Sequence, residues 1–72
     1  QVFPNPVTDL LTVESETPIS EITVFDLTGK EVLRNVTYKQ GAIVSFQSCP
    51  AGVYFIQITT EKDKSVKKII KY

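Results

Sequence analysis

Apolar and polar residues alternate along most of this chain in short, regular runs. Leu11 and Val13 alternate with Thr12 and Glu14, which predicts a strand over about 10–15, closed by Thr17-Pro18. Ile22 and Val24 alternate with Thr23 and Phe25 in a second strand over about 19–26. Asp26-Leu27-Thr28-Gly29-Lys30 reads as a turn, with Gly29 able to take a positive φ. Glu31-Val32-Leu33-Arg34 opens an extended stretch of about 31–38 that Gly41 breaks. Val44 and Phe46 share one face of a strand over about 42–47. Pro50-Ala51-Gly52 is the next break. Val53–Thr59 gives the strongest strand signal, with Tyr54, Ile56 and Ile58 on one face and Phe55 and Gln57 on the other. Glu61-Lys62-Asp63-Lys64 forms a charged hairpin tip, and Val66–Lys71 is the last strand. A further short strand is predicted at Gln1–Phe3, before Pro4. No segment keeps a helical apolar period with caps at both ends. About seven short strands at this spacing predict an all-β sandwich.

Composition strengthens that reading. Val, Ile and Thr number 24 of 72 residues, whereas Ala, Leu and Met together number six. β-Branched side chains lose χ1 freedom in a helix and pack well on a pleated sheet. The length allows one domain, residues 1–72, of a size that buries only about 60% of its unfolded surface. Eight basic and eight acidic residues cancel. A chain without basic excess lacks the main source of nucleic-acid affinity, so no nucleic-acid partner is expected. The apolar runs fall far short of the roughly 18 residues of a membrane helix, and no membrane insertion is expected. The chain starts at Gln1 rather than Met and is read as a piece of a longer protein, so the lack of a leader says nothing about export. Charge is segregated. Six acids lie in the first 31 residues, and five lysines (Lys62, Lys64, Lys67, Lys68 and Lys71) lie in the last 11. Such lysines can guard a sheet edge against pairing, or they can be a surface that a partner reads.

Side-chain chemistry is sparse. There is no His, which removes the usual general base and the commonest metal ligand. Cys49 has no His partner and excludes any internal disulfide; beside Pro50 it reads as a small buried hydrophobe. Glu14 and Glu16 share strand parity, but a sandwich this small has little volume for the cleft that glycosidic chemistry needs. Thr28-Gly29-Lys30 lacks the first glycine of a phosphate loop. Asn35-Val36-Thr37 fits a glycosylation sequon that occurs often by chance. The carboxylates lack the spacing of a calcium loop. No enzyme activity, cofactor, metal or small-molecule substrate is expected. Pro4-Asn5-Pro6 cannot lie inside a central strand and reads as a stiff, extended lead-in.

Taken in order, the punctuation is distinctive: Phe3-Pro4-Asn5-Pro6-Val7-Thr8-Asp9 with Leu11 and Val13; Val24-Phe25-Asp26-Leu27-Thr28-Gly29-Lys30-Glu31-Val32; Pro50-Ala51-Gly52-Val53-Tyr54-Phe55-Ile56; and Lys67-Lys68-Ile69-Ile70-Lys71. Over essentially its whole length the chain resembles the type A C-terminal sorting domain of the type IX (Por) secretion system of Bacteroidetes. The resemblance implies a compact Ig-like β-sandwich of about seven mainly antiparallel strands. It also implies a tail on an exported precursor, in transit through the periplasm and then on the cell surface or released. Its partners would be the outer-membrane translocon and a sortase-like cysteine peptidase. Cys49 departs from the pattern, because Leu usually precedes Pro-Ala-Gly in the family.

Within that resemblance, Pro4, Asn5, Pro6, Asp26, Gly29, Lys30, Gly52 and Tyr54 are motif residues read as structural. Gly29 and Gly52 are expected to fix turns, and Tyr54 to pack its ring in the core with its hydroxyl at an edge. Lys67, Lys68, Ile69, Ile70 and Lys71 are the expected recognition residues, on an edge strand to which a partner could add a strand of its own. The rival reading is an Ig-like or fibronectin-like adhesion or carbohydrate-binding module appended to a secreted enzyme. Solvent-facing Phe25 and Phe55 would favour it.

Overall fold

A computed structural model describes residues 1–72. Seven strands and no helix account for its regular structure: β1 (Val2–Phe3), β2 (Leu10–Glu14), β3 (Ile19–Asp26), β4 (Glu31–Val36), β5 (Gly41–Ser45), β6 (Gly52–Thr60) and β7 (Lys64–Lys71). They form two antiparallel sheets stacked as a sandwich, ordered β1-β2-β5 and β4-β3-β6-β7. The chain crosses between layers after β2, after β4 and again after β5.

The two inward-facing rows explain the stacking. Leu11 and Val13 on β2 lie opposite Val44 and Ala42 on β5. Ile22 and Val24 on β3 lie opposite Ile58 and Ile56 on β6, and Tyr54 lies opposite Ile69 on β7. All of these but Ala42, which packs against them half-buried, meet Val7, Ile19, Phe46 and Cys49 in one core of thirteen buried apolar residues. Phe46 and Tyr54 meet edge to face, centroids 5.8 Å apart at 75°, the arrangement that aromatic quadrupoles favour. Every buried side-chain nitrogen or oxygen has a hydrogen-bond partner.

Several expected boundaries shift. Gly41 does not interrupt a strand but begins β5, and the extended stretch from Glu31 ends at Val36 rather than 38. The terminal strand starts at Lys64, because its hairpin tip is short. The Thr60 hydroxyl accepts the amides of Lys62 and Asp63 at 3.2 and 3.1 Å, and the Thr60 amide donates to the Asp63 carbonyl at 2.9 Å. Glu16 lies beyond the end of β2, so Glu14 and Glu16 do not share a strand face. Thr23, on the outer face of β3, is nonetheless buried, at 3% exposure, and its hydroxyl bonds Glu21.

Candidate functional site

The terminal strand β7 is the outermost strand of the larger sheet, paired with β6 over eight residues from Thr59–Lys64 to Gly52–Lys71. Strand alternation splits its side chains between two faces. Ser65, Lys67 and Ile69 lie on the row facing the other sheet; Val66, Lys68 and Ile70 lie on the outer face. The lysines therefore do not form one row. Lys67 points along an open polar groove between the two sheets, a cavity of about 570 Å³ also lined by Glu14, Glu16, Asp63 and Ser65. Lys68 stands outside, opposite Phe55. Ile69 is 1% exposed and belongs to the core, so its side chain is hidden from any partner of the folded domain.

The outer edge of β7 is half occupied. The Asn5 side chain donates to the Lys68 carbonyl at 3.0 Å and accepts the Ile70 amide at 3.1 Å. Two residues on, the Val7 amide donates to the Ile70 carbonyl at 2.8 Å, and the Val7 carbonyl accepts the Tyr72 amide at 2.9 Å. A carboxamide presents an N–H donor beside a C=O acceptor, as a peptide unit does, and here it stands in for a strand residue. Neither flanking proline has an N–H to offer, so pairing passes from the Asn5 side chain to the Val7 main chain, and Val7 is fully buried beneath it. Pro4-Asn5-Pro6 is thus a strap across the end of β7 and not merely a lead-in. Strand addition along the whole of β7 is closed off by this strap. By ladder alternation the main-chain groups of Val66 point outward like those of Ile70, and no strand lies beyond them.

The remaining motif residues build turns and anchors. One Asp26 carboxylate oxygen accepts the Thr28 hydroxyl at 2.6 Å, the Thr28 amide at 2.9 Å and the Lys30 amide at 3.1 Å. The Thr28 hydroxyl foremost, with both amides and the Lys30 charge, holds the Asp26 carboxyl below its ordinary pKa against a smaller effect of burial. Gly29 closes this β3–β4 hairpin at φ +88°, a left-handed conformation that side chains disfavour. The Tyr54 hydroxyl donates to the Pro50 carbonyl at 2.5 Å, tying the start of β6 to the preceding break. Gly52, at φ +154°, leads into that strand. Cys49 is buried in the core, and burial pushes its thiol pKa up, which disfavours the nucleophilic thiolate. Phe25 and Phe55 face outward as expected. They are direct cross-strand neighbours and each is half-buried.

Sequence reasoning missed the strap. The Pro-Asn-Pro signal was visible, but its partners lie 63 and 65 residues away. The model for the secretion-system C-terminal sorting domain matches residues 1–72. The chain belongs to that family. Among curated proteins, no relative matches it. The sorting domain is a C-terminal secretion signal for the type IX system, and it marks its protein for the cell surface or the extracellular space. The family is a sorting signal and not a catalytic domain.

Proposed function

We propose that this sorting domain is the tail of a longer exported protein, and that the outer-membrane translocon and a sortase-like cysteine peptidase recognise it through β7. Lys67, Lys68, Ile70 and Lys71 carry the recognition, and Ile69 supports it from within the core. The observation that carries this reading is the state of the β7 charges. The side-chain ion pairs in the domain join Arg34 to Glu21 and to Glu31, so Lys64, Lys67 and Lys68 of the terminal strand have no carboxylate partner, while the Lys71 ammonium donates to the Tyr72 main-chain oxygen at 3.2 Å. Unpaired charges on an edge strand are available to steer and orient a partner.

The test is a reporter with an inner-membrane signal peptide and this domain at its C-terminus, expressed in a bacterium with a type IX system. The parent fusion should reach the surface or medium. The triple variant Lys67→Ala, Lys68→Ala, Lys71→Ala should be retained in the periplasm while still folded, since substitutions of the exposed Lys67 and Lys68 change stability by about 0.5 kcal/mol or less each and the half-buried Lys71 keeps its main-chain pairing. A folded triple variant exported like the parent would refute recognition by lysine. A parent fusion left in the periplasm would refute the sorting role of this chain.

A further inference from the structure

The outward residues of β7 continue, in register, into an apolar strip on the face of the larger sheet. Phe25 on β3 lies opposite Phe55 on β6, and Phe55 lies opposite Lys68 on β7. Val53 lies opposite Ile70 one row away. Paired residues in an antiparallel ladder project to the same side, so two rings, two aliphatic side chains and one lysine make a continuous surface. The second sheet packs against the other face, so this strip faces outward, with Phe25, Phe55 and Val53 half-buried among their neighbours and Ile70 and Lys68 exposed.

The charges on this face are not balanced. Its carboxylates, Glu21 and Glu31, are both committed to Arg34, at 3.4 and 2.7 Å. Lys68, beside the rings, has no such partner. The outer face of the smaller sheet differs: Phe3, Leu10 and Ile43 are exposed there at 39%, 52% and 62%, but its three strands contain no Lys or Arg. An apolar centre with a free cation at its rim is the composition of a protein docking surface, where the centre supplies affinity and the rim charge supplies orientation.

We infer that the outer face of β3, β6 and β7, centred on Phe25 and Phe55 with Lys68 at its rim, docks an apolar surface of the secretion machinery that presents a carboxylate to Lys68. This rests on the sorting role and enlarges the recognised surface from one strand to one sheet face. The strap leaves that face open while covering the edge, so docking proceeds with the domain fully folded.

The experiment uses the same reporter fusion, with folding of each variant checked by protease resistance in the periplasm. Lys68→Glu should lower the exported fraction roughly ten-fold or more, because it sets like charges against each other. Lys68→Gln should lower it less. Phe55→Thr, which keeps a strand-favouring residue, should lower it comparably to Lys68→Glu, and Ile43→Thr on the opposite sheet should leave it unchanged. Should Phe55→Thr fail to fold, Lys68→Glu decides, because Lys68 is exposed. Parental export of a folded Lys68→Glu variant would overturn the docking face while the sorting role stands. Equal losses for Lys68→Gln and Lys68→Glu would overturn the carboxylate partner, and an equal loss for Ile43→Thr would overturn the choice of face. Failure of the parent fusion would overturn the sorting reading and this inference with it.

Discussion

Replacing Asn5 by Ala isolates the strap across β7. The change removes two hydrogen bonds, of 3.0 Å to the Lys68 carbonyl and 3.1 Å from the Ile70 amide, and leaves the Val7 pairing in place. Both lost bonds are solvent-exposed, so water can replace them in part, and each is worth about 0.5–1 kcal/mol net. The variant should lose about 1–2 kcal/mol, which in a domain of this size lowers Tm by roughly 4–16 °C. Hydrogen exchange gives the sharper assay. The Ile70 amide should exchange about ten-fold faster in the variant, as a loss near 1.4 kcal/mol implies, while β7 amides that pair with β6 change little. Asn5→Asp adds a discriminating arm. It keeps an acceptor for Ile70 but sets an oxygen against the Lys68 carbonyl, so it should restore Ile70 protection without restoring Tm. Unchanged Tm together with unchanged Ile70 exchange in Asn5→Ala would refute the side chain's role as a substitute strand residue.

Three further outcomes are expected. Ile56→Ala, at a fully buried position in mid-β6, should cost about 2–5 kcal/mol, a large part of what so small a domain has, and urea titration should show the midpoint collapse or no folded baseline. Tyr54→Phe keeps the ring against Phe46 but removes the bond to Pro50, and should lower stability by about 0.5–1.5 kcal/mol in thermal melts. Asp26 has a folded pKa held below its ordinary value, chiefly by the Thr28 hydroxyl, so its stabilising contribution is full above the ordinary carboxylate range and fades as pH falls through the lowered value. As pH falls below the ordinary carboxylate range the parent should therefore lose more stability than Asp26→Asn; parallel Tm profiles would contradict this.

Much of the fold was legible because period-two alternation is local. Strands at β2, β3, β6 and β7 and the inward sets Ile22/Val24 and Tyr54/Ile56/Ile58 follow from adjacent residues. The division of strands between sheets was not legible, since β5 pairs with β2 across two crossings that no local pattern encodes. Thr23 illustrates a second limit: alternation places it outside, yet long neighbours on the same face cover it to 3% exposure. The site was read in outline only. The lysines announced themselves by clustering and alternation separates Lys67 from Lys68, but which of the two faces the other sheet depends on register. The adjacency of Phe25 to Phe55 and Lys68 joins β3 to a hairpin some thirty residues further along, and Asn5 owes its role to a strand more than sixty residues away.

The direction of the strap has a mechanical meaning. Val7 runs parallel to Lys71, not antiparallel, so the chain arriving through Asn5 and the chain leaving through Tyr72 exit at opposite ends of the same seam. Tension applied between the chain preceding Asn5 and the end of β7 would pull along the seam. Under that load the two bonds of Asn5 and the two of Val7 must stretch together, because sliding strands load their bonds in shear, whereas an antiparallel seam pulled from one end would open bond by bond. The seam at the end of β7 is thus built to resist a lengthwise pull more than a sideways peel.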